Sequence, residues 1–524
     1  MSHTVTVVGS GGHAPSLQQR IKRIGLFAGP LLALVLYFTL PHEYRTADGS
    51  NVVFGHAGRA TLAAMGWMAT WWMTEAVEIE VTSLLPIALF PLAGIMPLGK
   101  TTANYGADVI YLFLGGFVIA LAIARCGLDR RIAFFTLRLV GTRPKAIVAG
   151  TMGATAFLSM WVSNTATAAM MVPIVLSVID VALSSRTGKS LSEHGGIPED
   201  DRDMRNFALS ALLGVAYAAS IGGLGTIIGS PPNGILVRFV EQMSGIQVTF
   251  LDWMMIGVPA MLMFLPLAWL LNTFVLFPTR IKEIEGGRDY VREQWSKLGP
   301  LSRGERATLA VFGMAVVLWM TAPLLKDWEI GGIHPLGGLS DAGVAIIAAI
   351  TLFLISVDRE KGESLMDWST AVRLPWGVLV LFGGGLALAS ATEANGVPGF
   401  IGSLAAGFAG WPFWAILLAI IAIMVFMSEL TSNTAQVATM LPILAALGPV
   451  LGVPAGVLLV PATIAASCAF MMPVGTPPNA IVFGTGLVRM PQMMKAGLWL
   501  NLTGIVLIFM LTFIVFMPVL RALR

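Results

Sequence analysis

Residues Ser159–Ile174 read SMWVSNTATAAMMVPI, and residues Ser428–Ile443 read SELTSNTAQVATMLPI. Each sets a polar Ser-Asn-Thr in the middle of a long apolar stretch, 144–183 in the first case and 411–447 in the second. A helix crosses a bilayer in about 20 residues. Either stretch is therefore long enough to enter a membrane, turn at the tripeptide and leave on the same side. Such a re-entrant hairpin survives in lipid only where its turn is enclosed by protein or faces a watery cavity, because the turn's backbone groups need partners.

The two stretches are copies at one register. Ser159 maps to Ser428, Ser163-Asn164-Thr165 to Ser432-Asn433-Thr434, and Met171–Ile174 to Met440–Ile443, all 269 positions apart. The same offset carries Leu112-Phe113 and Gly115-Gly116 to Leu381-Phe382 and Gly384-Gly385, and Gly127 to Gly396. A second pair follows: Gly229-Ser230-Pro231-Pro232-Asn233 and Gly475-Thr476-Pro477-Pro478-Asn479, 246 positions apart. The 23 lost positions match the polar loop 184–206, present only in the first half. Chance apolar similarity does not reproduce two polar motifs in order at fixed spacing, so the chain is read as an internal repeat.

Composition sets this in a membrane. Of 524 residues, 56% are hydrophobic and 12% charged, against roughly 45–50% and 25% in soluble domains. With a mean hydropathy of +0.80, a soluble multi-domain enzyme and a disordered chain are both excluded. The net charge of +3, from 32 Lys+Arg and 29 Asp+Glu, is too balanced to suggest nucleic acid. Cys126 and Cys468 are too few for a disulfide framework or a four-ligand metal site and read as packing residues. Further spans are expected at 22–40, 57–76, 80–98, 107–125, 207–228, 253–278, 306–325, 341–357, 376–393 and 495–519.

Cations fix the expected topology. With residues 1–21 as a cytoplasmic tail and neither hairpin crossing, the basic clusters 130–145, 186–205, 280–306, 359–373 and 489–495 all fall on the cytoplasmic side. The loops 41–56 and 326–340 fall outside, and Arg521 and Arg524 are the exceptions. The resulting fold is an all-α polytopic membrane protein with about eleven crossings and the C-terminus outside. Its first half is 22–280, with hairpin 144–183 and broken helix 207–243; a cytoplasmic linker, 281–305, leads to a second half, 306–524, with hairpin 411–447 and broken helix 450–488. One hairpin opens to each side, so the repeats are inverted, the architecture of many secondary transporters.

Each motif has its own chemistry. Two prolines after a glycine unwind a helix and then start the next one. Freed carbonyls before the break suit a cation, and free N–H groups at the new helix start suit an anion. Hydroxyl and amide oxygens of Ser and Asn at the hairpin tips are hard ligands for a hard cation such as Na⁺. They also cap the helices that follow. No Lys or Arg lies in either tip or either break, so a bound dianion would rely on dipoles, neutral donors and accompanying cations.

Paired Ser-Asn-Thr tips, each with a downstream Pro-Pro-Asn, resemble the divalent anion/sodium symporter family of di- and tricarboxylate transporters. Trp72–Ala76 and Leu84-Leu85-Pro86 resemble its early segment, while Glu78 and Glu80 depart from it. The resemblance spans about residues 22–520. It implies a first sodium on Ser159, Ser163, Asn164 and the Gly229 carbonyl, and a second on Ser428, Asn433 and the Gly475 carbonyl. It places substrate carboxylates on Asn164, Thr165 and Ser230 from one side and on Asn433, Thr434 and Thr476 from the other. It further implies a homodimer in a bacterial inner membrane, with a scaffold and a mobile transport domain moving like an elevator. The expected activity is sodium-coupled import of C4-dicarboxylates such as succinate, malate or fumarate, with two or more Na⁺ as coupling ions and no organic cofactor.

Rivals on the same scaffold are a dicarboxylate exchanger and a sulfate or tricarboxylate carrier. The rival of another class is an anion channel, which two occluding hairpins and an uncharged centre disfavour. No paired acid and base or metal motif argues for an enzyme, and the glycine run 7–12 lacks the flanking units of a phosphate loop. Glu429, the one acid in a tip, reads either as a proton relay or as a buried acceptor of backbone N–H groups. Glu75 reads as structural, and Trp67–Trp72 as interfacial anchoring or dimer packing.

Overall fold

The computed structural model describes residues 17–45, 50–326, 328–329, 333–358, 363–404, 407 and 410–522. The glycine run 7–12, most of the N-terminal tail, Arg359, Lys361 and Arg524 lie outside them. The described chain is helical apart from two small antiparallel β-pairs in loops, Glu43–Arg45 with Asn51–Val53 and Ser356–Asp358 with Glu363–Ser364. Among the described residues, eight helices are long and apolar enough to cross a bilayer.

Both hairpins fold as helix–turn–helix. The first has arms Pro144–Ser159 and Asn164–Thr187; the second has arms Phe413–Ser428 and Asn433–Val450. Descending arms and return-arm starts coincide at the 269 offset. Pro144 starts the first arm, where its missing N–H costs nothing, and Pro412 caps the matching arm. The return arms carry Pro173 and Pro442 at equivalent positions.

Both broken helices resume where the prolines stand. Arg202–Gly222 unwinds and restarts as Pro231–Ser244; Gly456–Ala466 unwinds and restarts as Pro477–Gly484. The first segments are the interior of the molecule: Phe207–Gly222 and Val457–Ala466 are buried throughout. Small residues make this possible. A Cβ on Gly222 would lie 2.3 Å from the Ala156 carbonyl oxygen on the first hairpin. The breaks are covered by Phe250–Leu270 and Met490–Leu511, where Gly257 and Gly497 would each bring a Cβ within 2.2 Å of a break carbonyl, Leu224 and Phe470 respectively.

The halves interlock crosswise. The first return arm packs on Pro477–Gly484, and the second return arm packs on Pro231–Ser244. Apolar side chains on Gln19–Thr39, Phe250–Leu276, Arg303–Lys326 and Met490–Ala522 face outward, as lipid-facing helices require. One expected span is different. Residues 80–98 form two short helices, Ile79–Thr82 and Leu85–Leu92, because Pro86 sits at the start of the second and Gly94, at φ +63°, ends it.

The linker carries the helix Gly287–Leu298, held by a buried guanidinium. Arg131 pairs with Glu305 at 2.6 Å and donates to the carbonyls of Leu298 and Gly299. Each of its three nitrogens donates to an oxygen, which is what a buried cation needs.

Candidate functional site

The first tip is built on an oxygen cluster. Ser163 caps the return arm, accepting the Ala166 N–H at 3.3 Å. That sets Asn164 at the first helical position with its side chain turned toward the break. Ser159, fully buried, donates to the Ala219 carbonyl at 2.7 Å and so pins the tip to the central helix. Asn164 Oδ1 stands 2.7 Å from Ser159 Oγ. The same amide position is 3.1 Å from the Ala219 carbonyl oxygen and 3.2 Å from that of Gly229. The Asn164 amide has two orientations here. With the amide turned over, its N–H₂ donates to all three oxygens. With Oδ1 inward, four oxygens converge and a small hard cation is the natural partner.

Gly229 reaches the cluster because it has no side chain. A Cβ there would lie 2.7 Å from the Gly223 carbonyl oxygen and 3.1 Å from that of Met160. Thr226 holds the loop: its hydroxyl donates to the Met160 carbonyl and accepts the Gly229 N–H at 3.0 Å. Ser230 follows, nearly buried, as the residue before the new helix.

The second tip repeats the plan with different fillings. Ser428 is fully buried and donates to the Val425 carbonyl at 2.7 Å. Asn433 starts the return arm, and its Oδ1 is buried with no hydrogen-bond partner among the described residues. A Cβ on Gly475 would lie 3.1 Å from the Ser428 carbonyl oxygen, which places the second break against the second tip. Thr476, 5% exposed, precedes the new helix as Ser230 does. Thr165 is exposed and Thr434 half-buried.

The asparagine of each Pro-Pro-Asn holds its break open. Asn233 donates to the carbonyls of Gly223 and Thr226 at 2.9 and 2.8 Å. Asn479 donates to those of Ala469 and Met472, both at 3.0 Å. These four carbonyls correspond at the 246 offset, so the same lock is built twice.

Glu429 is nearly buried beside the second break. Its carboxylate accepts the N–H groups of Phe470, Met471 and Met472 and the side-chain amide of Asn501. These contacts are those of a buried acceptor of backbone N–H groups. Three contributors carry no motif signal: the Ala219 carbonyl, Thr226 and Asn501. Asn501 had one clue, an amide in the middle of an apolar helix.

The halves differ in exposure. On the first return arm Thr165, Ala166, Ala169 and Pro173 form an open stripe. It leads toward a cavity of about 950 Å³ lined by Ser177, Asp180, Arg205, Thr485, Arg489 and Gln492. On the second return arm the counterparts Ala435, Ala438 and Pro442 are buried. Pro477 and Ala480 are likewise exposed, where Gly234 is buried.

Known proteins resemble this chain along nearly its whole length. The profile of the sodium:sulfate symporter transmembrane region matches residues 53–522. The sodium-dependent dicarboxylate transporter SdcS of Staphylococcus aureus, strains USA300 and NCTC 8325, is 40% identical over 499 residues, covering 95% of this chain and 91% of the relative. Among solved structures, the Alcanivorax borkumensis YdaH transporter aligns with a TM-score of 0.58 at 13% identity, over 95% of this chain and 98% of its own. Neisseria gonorrhoeae MtrF aligns at 0.57 and 13% identity, over 96% of both chains. At that identity the two structures speak to the fold alone.

Proposed function

The chain belongs to the family of sodium:sulfate symporters, the divalent anion/sodium symporters, and from that premise we propose that it is a sodium-coupled importer of C4-dicarboxylates such as succinate, malate or fumarate. The observation that carries the coupling is the oxygen cluster of Asn164, Ser159, Ala219 and Gly229. With Asn164 Oδ1 turned inward and no cationic side chain beside them, these oxygens suit a cation, which then supplies the charge that a dianion needs. The dicarboxylate follows the name of the Staphylococcus relatives.

In this reading the first sodium sits on Ser159, Ser163, Asn164 and the Gly229 carbonyl, joined by the Ala219 carbonyl. The second sits on Ser428, Asn433 and the Gly475 carbonyl, and the orphaned Asn433 Oδ1 supports it. Substrate carboxylates meet Asn164, Thr165 and Ser230 on one side and Asn433, Thr434 and Thr476 on the other. Helices that start at Asn164 and Asn433 aim their positive ends at that space. Transport proceeds by alternating access: the open first-half stripe and its buried second-half twin exchange roles. The open side is the one with the basic loops, so the state described is inward-facing. The protein works as a homodimer in a bacterial inner membrane, with the N-terminus cytoplasmic and the C-terminus outside, and its transport domain moves like an elevator against the scaffold.

The test is thermal unfolding of the purified protein with succinate, malate, fumarate, citrate or sulfate, each in Na⁺ and in K⁺. Stabilisation by the C4 acids in Na⁺ alone is expected. A preference for citrate or sulfate, or equal effects in K⁺, contradicts the assignment.

A further inference from the structure

Glu429 stands 269 positions after Met160, at the same place in the second tip. In the first half the Met160 carbonyl receives the Thr226 hydroxyl, which ties the break to the tip. The counterpart of Thr226 is Met472, which has no hydroxyl. The second half makes the tie in another way. The Glu429 carboxylate gathers the Phe470 N–H at 2.8 Å, the Met471 N–H at 2.9 and 3.0 Å and the Met472 N–H at 2.9 Å. Asn501, on the covering helix, adds its amide at 2.7 Å. Successive N–H groups closing on one anion form a nest, and hydrogen bonds to a charged acceptor are the strong kind. Every partner is a donor. The carboxyl group therefore acts here as an acceptor that ties the break to the tip.

We propose that Glu429 is the positioning residue of the second cation site. It holds the unwound segment 470–472 against the second tip, which sets the Gly475 carbonyl three residues later. The residue, 4% exposed, lies beside the proposed cation site. The inference rests on the proposed second sodium site. The Glu429 side chain stabilises that sodium without touching it, and Asn501 keeps the carboxylate in place.

The experiment titrates Na⁺ alone, with K⁺ balancing ionic strength and no substrate present, against the melting temperature of the purified full chain. Glu429→Gln replaces acceptor lone pairs with an N–H₂ that faces N–H groups. Its Na⁺ midpoint is expected to rise by about tenfold or more, the loss of one or two charge-assisted bonds. Its melting temperature in K⁺ is expected to fall less than its Na⁺ response. An unchanged midpoint overturns the proposal. Asn501→Ala leaves the carboxylate and removes one donor, and its midpoint is expected to rise by about threefold; no rise in this variant also overturns it. Uptake measured across pH gives the second readout. Loss of the wild-type pH profile in Glu429→Gln marks a proton relay and contradicts the positioning role. A wild-type protein with no Na⁺ response at all removes the sodium sites themselves, which separates failure of the function from failure of this residue's role.

Discussion

Gly229 and Gly475 hold equivalent positions, yet their surroundings predict unequal tolerance. A Cβ on Gly229 meets a backbone carbonyl oxygen at 2.7 Å, while the nearest atoms around Gly475 are at 3.1 Å. Gly229→Ala must push apart the loop that presents a cation ligand, and Na⁺ stabilisation is expected to be lost. Gly475→Ala is expected to keep most of it. Sodium titration of the two variants checks this, and equal losses contradict the asymmetric packing. The Ser-Asn-Thr tips were legible in the sequence because polar residues stand out in an apolar run and recur at one offset. The Ala219 carbonyl was not, because a backbone oxygen has no sequence signature. Glu429 stood out as the one acid in a tip, but Thr226 did not: each half closes its break with a different chemistry, so comparing the copies gives no match there.

At the scale of elements, Pro-Pro-Asn divides its labour. The prolines start the second helix of each break, and the asparagine holds two carbonyls that the break leaves without donors. Asn233→Ala or Asn479→Ala leaves those carbonyls unpaired in a buried place, at a cost of about 2–3 kcal/mol. A clear drop in melting temperature in K⁺, before any ligand is added, is the expected result. An unchanged value in both variants contradicts the lock. Hairpins and breaks could be read from sequence because length, proline and polarity agree. Residues 80–98 could not, since hydropathy counts apolar residues and ignores the turn that Ser83-Leu84 makes before Pro86. Nor could the capture of the linker by Arg131 and Glu305, residues 174 positions apart in different elements.

Over the whole molecule, one repeat is open and its twin is closed. Ala169 and Ala438 are the same position in the two return arms, one exposed and one 3% exposed. With Cys126 and Cys468 replaced, a cysteine at 169 is expected to react with a membrane-impermeant thiol reagent from the cytoplasmic side, and one at 438 to be protected. Conditions that favour the outward state should reverse the pattern. Equal reactivity from both sides suits a channel. The low charge of the chain takes its meaning at this scale too. Most cations lie in the expected cytoplasmic loops, and the space between the tips and the breaks has none. A dianion can be held there only with borrowed positive charge.

Uptake of labelled succinate into proteoliposomes, with and without an inward Na⁺ gradient and with K⁺ in its place, tests that claim most directly. The account predicts concentrative uptake only with the Na⁺ gradient, strongly reduced by Asn164→Ala or Asn433→Ala. Equal uptake in K⁺, or undiminished transport in either variant, would contradict it.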